Sequence, residues 1–184
     1  MAPRIEPITL SDPLTLASHI VRHYEESGRD GQHHFSPVWG LERSWVADAL
    51  ERRLRTPTSV PGWGRGFAVH DEGRIVGHAE IRGGVVTAAL HRAEFSVGLE
   101  LPYRRLGLGR TLTERAIGLA RELGLAWVDL RVFAHNTPAR RLYASLGFVE
   151  IGTFTDAFRM HDGAPVDDVA MVLRLRGGPS VSGS

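Results

Sequence analysis

The segment Tyr103-Arg104-Arg105-Leu106-Gly107-Leu108-Gly109-Arg110 combines two glycines with three arginines where an apolar run gives way to a helical period. Glycines at a strand-to-helix turn let the backbone close on an anion, and the first turn of the following helix aims several unpaired N–H groups at it. Each charge-assisted bond contributes roughly 1.5–3 kcal/mol and the helix dipole about 0.3–1 kcal/mol. Arg104, Arg105 and Arg110 add fork-shaped donors that match phosphate oxygens. The pattern is not a P-loop, because no Gly-Lys-Ser/Thr follows, and its spacing is not that of the dinucleotide fingerprint. A Gly-x-Gly also serves as a tight turn with close helix packing, so two readings stand at this point.

The elements that must position this turn follow from hydrophobic period. Residues 5–10 read as a short strand, and Ser11-Asp12-Pro13 supplies an N-cap and an early-turn proline for a helix reaching residue 25 or 26. Residues 28–37 read as a loop. A second helix fits residues 41–54, with Trp45, Val46, Ala49, Leu50 and Leu54 on its apolar face. The period then changes to two: residues 67–70 and 75–81 flank an Asp71-Glu72-Gly73-Arg74 turn as a hairpin, and residues 88–101 read as a longer strand. From Leu106 the helical period returns, with Leu108, Leu112, Ala116, Leu119, Ala120 and Leu123 on one face and Gly124 as C-cap. A strand at 126–133, a short helix at 138–146 stopped by Gly147, a strand at 148–154, an Asp162-Gly163 turn and a strand at 168–175 complete the order. This is a single α/β (α+β) domain over residues 4–176, with helices between the strands of a mostly antiparallel sheet. The Gly/Ser-rich residues 177–184 read as a disordered tail.

Composition narrows the function. Of 184 residues, 42% are hydrophobic and 23% charged, which suits one globular domain. The chain has no cysteine, so a thiolate metal site, a disulfide framework and a cysteine nucleophile are excluded. All 22 basic residues are arginine, which removes amine catalysis by lysine. A net charge of +1 argues against coating nucleic acid or an acidic membrane through an overall field. With no signal-like run and no long apolar stretch, the expected location is the cytoplasm.

The motif Arg104-x-x-Gly107-x-Gly109, entered from an apolar strand and followed by a long amphipathic helix, resembles the acetyl-coenzyme A pyrophosphate loop of the GNAT superfamily of N-acetyltransferases. A second motif, Asn136-x-x-Ala139-x-x-Leu142-Tyr143-x-x-x-Gly147-Phe148, resembles the other hallmark of that superfamily. The likeness covers residues 65–175 well and the first 60 in element order. Residues 156–175 resemble the ribosomal-protein and small-molecule branch.

The resemblance implies a sheet whose central strands splay to admit the pantetheine arm of acetyl-CoA, the co-substrate. Val97, Leu99 and Leu101 would flank the arm, with the Leu99 N–H donating to the thioester carbonyl. Residues 104–110, including Leu106 and Leu108, would hold the pyrophosphate, joined by Arg140. Asn136 would bond the pantetheine or cap its helix. Tyr143 would protonate the departing sulfur, since a phenol of pKa about 10 can donate to a thiolate whose acid lies near 8.5. Glu94 resembles a glutamate found at this place in many relatives and is the leading base for the acceptor amine, with Glu80 and His78 in reserve. The need is real: an α-amine of pKa about 8 is roughly a tenth neutral at pH 7, a lysine-like amine about once in 2,500 molecules.

The implied activity is direct acetyl transfer from acetyl-CoA to a primary amine of a small molecule or a protein N-terminus. A non-catalytic coenzyme A sensor is the alternative, and RNA binding by the arginines is a weaker one. No nucleic acid or membrane partner is expected. Relatives are often homodimers, and the sequence decides neither state. A metal site built from His33, His34, His78, His91 and Glu94 is disfavoured, because an offset of three on a strand sends His91 and Glu94 to opposite faces. Trp39, Trp45, Trp63 and the His33-His34-Phe35 run fall where relatives place acceptor-binding loops, although core packing is the commoner use of tryptophan.

Overall fold

Apolar runs of period two become the strands of one sheet, and runs of period 3.6 become helices laid against it. The structure is a computed structural model and describes residues 2–28, 34, 40–160 and 162–175. In chain order the elements are β1 (Arg4–Pro7), α1 (Pro13–Glu25), α2 (Arg43–Arg55), β2 (Gly64–Asp71), β3 (Arg74–Gly83), β4 (Arg92–Leu99), α3 (Leu108–Glu122), β5 (Trp127–Phe133), α4 (Thr137–Ser145), β6 (Val149–Arg159) and β7 (Pro165–Arg174). The strand order is β1-β2-β3-β4-β5-β7-β6, antiparallel throughout except where β4 lies parallel to β5.

The β4–β5 pairing is short. It joins Arg92 to Trp127, Ala93 to Val128 and Glu94 to Asp129, and then stops. β4 stays paired to β3 as far as Leu99, and β5 to β7 as far as Phe133. Past Glu94 and Asp129 the two strands therefore diverge and leave their inner edges facing a gap. The α/β class, the mixed and mostly antiparallel sheet, the splayed centre and the flanking helices all agree with the sequence reading.

Two larger cores hold the layers, beside a small cluster of Phe133, Met160 and Val166. One unites Leu16, Ala17, Ala47 and Leu50 of α1 and α2 with Ala68 and Ile75. The other joins Leu112, Ala116 and Ala120 of α3 and Tyr143 of α4 to Val69, Ile81, Phe95 and Leu130. Each fully buried Leu or Ile contributes about 1.5–3 kcal/mol.

Several boundaries differ from expectation. The strand expected over 88–101 is shorter, because Thr87–Ala89 and Leu101–Tyr103 are single 3₁₀ turns, the second containing Pro102, which has no N–H for a ladder. β6 runs past residue 154 to Arg159 through two irregularities in register. Asp12 stands at the N-cap of α1 but does not cap it; its carboxylate accepts from the N–H and hydroxyl of Thr9. Trp45 lies outside the core, 64% exposed, whereas Trp63 is fully buried. His33, Phe35, Trp39 and the expected tail lie outside the described residues. Among those described, no helix is long and apolar enough to cross a membrane.

Candidate active site

Where β4 and β5 part, a cavity of about 780 Å³ opens at their carboxyl ends, a volume that suits a small-molecule site. The N-termini of α3 and α4 converge on it. The N–H of Glu100 donates to the Val76 carbonyl on the β3 side; because donors alternate along a strand, the N–H of Leu99 faces the gap. The Leu99 carbonyl, on that same side, accepts from Arg104 Nε at 3.0 Å. Val97 and Leu99 line the cavity, as Glu94 does at its edge.

The turn supplies backbone donors. Gly107 is the N-cap of α3 at φ 81°, with no side-chain cap, and this left-handed conformation is what requires glycine there. The first helical bond runs from the Thr111 N–H to the Gly107 carbonyl, which leaves the N–H groups of Leu108, Gly109 and Arg110 without intrahelical acceptors. A Cβ on Gly109 would meet Leu99 Cδ1 at 3.6 Å, an ordinary contact. Packing therefore does not demand this glycine, which instead leaves open space beside the free donors. Arg104, Arg105, Gly107, Gly109 and Arg110 all line the cavity. Arg105, at φ 61°, makes no hydrogen bond or ion pair among the described residues. Arg110 leans on α4, donating to Ser145 Oγ at 2.8 Å.

Four expected residues are not brought to this lining. Leu101 is partly buried and its N–H donates to Glu26 Oε2 at 2.9 Å. Leu106 points outward, 63% exposed. The Leu108 side chain packs against the core. Arg140 turns away to form a bidentate pair with Glu150, at 2.9 and 3.0 Å, and donates to the Ala134 carbonyl. Asn136 lines the cavity while its Oδ1 caps α4, accepting from the Ala139 N–H at 3.3 Å.

Tyr143 is buried on α4, edge-on to Phe95 and Phe148, and lines the cavity. Burial raises its pKa well above the ordinary phenol value, so it holds its proton across the working range. Glu94 is exposed, with Arg82 at 3.3 Å. Glu80 is buried and both its oxygens are held by Arg53, at 2.7 and 3.2 Å; it is a structural ion pair.

His34, expected among the acceptor-binding loops, lines the wall nearest α1, and with it stand groups to which the sequence reading gave no role: His23 and Tyr24 on the same wall and Asp168 opposite. Asp168 is buried and accepts from Arg131 Nε at 2.8 Å; burial raises its pKa, and the Arg131 guanidinium opposes the shift. Beneath the α1 wall, His19 Nδ1 lies 3.0 Å from Glu100 Oε1 and His19 Nε2 lies 3.0 Å from His78 Nδ1. Glu100 also accepts from Arg22 and Arg74. The spacing of His19 and His23, one helical turn apart, was the available sign that both face one way. Among the described residues no group of three or more His, Asp or Glu is placed to hold a metal ion.

Comparison with known proteins agrees with this geometry. Residues 32–148 match the model of the acetyltransferase (GNAT) family. The mycothiol acetyltransferase of Thermobifida fusca is 40% identical over 80 residues, 44% of this chain and 22% of that one. The ribosomal protein bS18 alanine N-acetyltransferase of Escherichia coli K12 is 37% identical over 81 residues, 44% of this chain and 54% of that one. The chain thus spans about half the length of the second relative and less of the first. Among solved structures, yncA of Salmonella typhimurium, determined with its cofactor acetyl-CoA, superposes with a TM-score of 0.80 at 18% identity over the whole of both chains.

Proposed function

The chain belongs to the acetyltransferase (GNAT) family, and on that premise we propose that it passes an acetyl group from acetyl-CoA directly to a primary amine. The observation that carries the reading is one cavity joining the open inner edge of β4 to the uncapped N-terminus of α3. Acetyl-CoA supplies an activated acetyl thioester and the phosphates that such a terminus suits. The free N–H groups of Leu108, Gly109 and Arg110, with the Arg105 guanidinium, hold the pyrophosphate. Val97 and Leu99 flank the pantetheine arm, and the Asn136 amide, whose oxygen is spent on its helix cap, has its NH₂ to offer the arm.

The N–H of Leu99 is the donor for the thioester carbonyl oxygen, where negative charge develops; losing one such donor costs about 100-fold in rate. Tyr143 gives its proton to the departing sulfur. Glu94 accepts the first proton from the acceptor amine, directly or through a water molecule. The chain has no cysteine to carry the acetyl group in between, which favours transfer within a ternary complex. The acceptor is a small amine-bearing molecule or a peptide N-terminus.

The test is thiol release from acetyl-CoA across polyamines, arylalkylamines, amino acids, aminoglycosides, phosphinothricin-like compounds and peptides with free N-termini. One strong acceptor supports the reading and defines the class. Tight acetyl-CoA binding with no turnover on any of them moves the protein to the sensor class.

A further inference from the structure

We infer that Glu100, His19 and His78 form a second proton path at this site, in which His78 Nε2 takes the proton the acceptor nitrogen sheds after it bonds to the acetyl carbon. The inference rests on the acetyl-transfer reading above.

Its direction follows from hydrogen-bond chemistry. Glu100 is ionised, its pKa held below the ordinary carboxylate value by hydrogen bonds from His19 and Arg22 against the opposing effect of burial, and a carboxylate only accepts. His19 must therefore present Nδ1–H to Glu100 Oε1, at 3.0 Å. A neutral imidazole with Nδ1 protonated has a lone pair on Nε2, so the 3.0 Å contact to His78 Nδ1 requires His78 to donate. His78 then carries its own lone pair on Nε2, which has no hydrogen-bond partner among the described residues. Two histidines are thus set in one tautomer by a carboxylate two links away.

His78 lies one residue behind the cavity wall. His78 is opposite Gly98 in the β3–β4 ladder, and Gly98 lines the cavity. A Cβ at residue 98 would lie 2.9 Å from His78 Cε1, the carbon between the two ring nitrogens, and 2.5 Å from His23 Nε2. Glycine here lets both rings press on the strand that holds the thioester in the proposed mode.

The reaction needs such a group. An ammonium nitrogen loses two protons on becoming an amide: one before it attacks, which goes to Glu94, and one after the N–C bond forms. That second proton is held far more weakly than the first, because the nitrogen then adjoins a carbon bearing oxygen and sulfur, so a weak base suffices. His78 is a weak base: burial, the neighbouring His19, and Arg82 and Arg53 lower its pKa well below 6.5. The other charged or titratable groups facing the chain are Arg22 and His23 on α1, Glu26 at its C-cap, His34, Arg74 on β3 and Arg104 after β4. The balance closes: N–C forms, C–S breaks, two protons leave nitrogen, sulfur gains one from Tyr143, and one net proton reaches solvent once Tyr143 is restored. His78 would be a catalytic residue; His19 and Glu100 are positioning residues.

Two measurements test the path. In nitrogen-15 NMR spectra of histidine-labelled wild-type protein, His19 and His78 should both show the Nδ1–H tautomer; an Nε2–H tautomer at His78 overturns the path whatever the activity. In kcat–pH profiles with an acceptor found by the panel, His78→Gln should lower kcat about tenfold or more, leave the KM for acetyl-CoA unchanged and make the acidic limb shallower, the dependence on the first deprotonation of the amine remaining. Glu100→Gln should move that limb to lower pH, since the imidazolium loses its counter-charge. Unchanged kcat in His78→Gln, or a loss of equal size at every pH, overturns the path alone. A wild-type protein silent with every acceptor overturns the acetyl-transfer reading itself, which is a different failure.

Discussion

The two ends of the cavity are built by different means. At the α3 end, contiguous residues line the cavity and, in the proposed mode, backbone does the binding: Gly107 turns the chain, and three N–H groups stand free because helical geometry leaves them so. At the α1 end, side chains from α1, β3 and the end of β4 meet across long stretches of sequence, with His19 and Glu100 separated by 81 positions and His19 and His78 by 59. The contrast teaches that affinity for the donor can be concentrated in one short segment, whereas proton handling depends on the whole fold being in register.

That contrast can be broken experimentally. Changes at the α3 end should alter binding and spare the chemical step; changes among the proton-handling groups should do the reverse. The largest effect is expected for Gly107→Asp, which puts a non-glycine residue at φ 81°, a cost of about 1–2 kcal/mol, and a carboxylate beside the free donors. Acetyl-CoA affinity, measured by calorimetry, should fall about 100-fold or more; an unchanged affinity would remove the turn from the site. Tyr143→Phe should lower turnover at least about tenfold with acetyl-CoA affinity nearly constant. Equal turnover would mean that water serves as the acid.

Glu94→Gln should cost less, a severalfold loss of kcat/KM that shrinks as pH rises toward the pKa of the amine, because the amine then arrives already neutral. A loss independent of pH would assign Glu94 to its ion pair with Arg82. The smallest effect is on stability. Burial and neighbouring positive charge depress the pKa values of His23 and His78 in the folded protein, so the unfolded chain binds more protons below about pH 6.5. Stability attributable to these residues is present above that pH and declines as pH falls toward the folded-state values. Calorimetric scans from pH 8 to 5 should show Tm dropping by about a few degrees, and Gln at both positions should flatten the curve.

The same division explains what could be read from the chain. α3, its glycine turn and the α4 motif announce themselves through local period and spacing, and each formed within about two residues of its expected place. The strand expected over 88–101 was overdrawn because apolar residues continue past Leu99, and only the missing N–H of Pro102 marks its end. Arg140 was assigned to phosphate on charge, but Glu150, on the strand after its own helix, holds it. Glu80 looked like a spare base until Arg53 arrived from α2. The Glu100–His19–His78 chain was invisible for a related reason: no part of it lies within a helical turn or a hairpin of the next.

The brevity of the β4–β5 ladder has a mechanical consequence. Among the described residues, three paired positions join two antiparallel half-sheets, β1-β2-β3-β4 and β5-β7-β6, at a narrow waist. A bound pantetheine arm, with amides of its own, would act as the missing splint between the halves, bonding to edges that the chain leaves unzipped. The empty molecule should therefore flex about its waist and the loaded one stiffen, with the outward-facing amides of Val97 and Leu99 changing from fast to slow hydrogen exchange when acetyl-CoA binds.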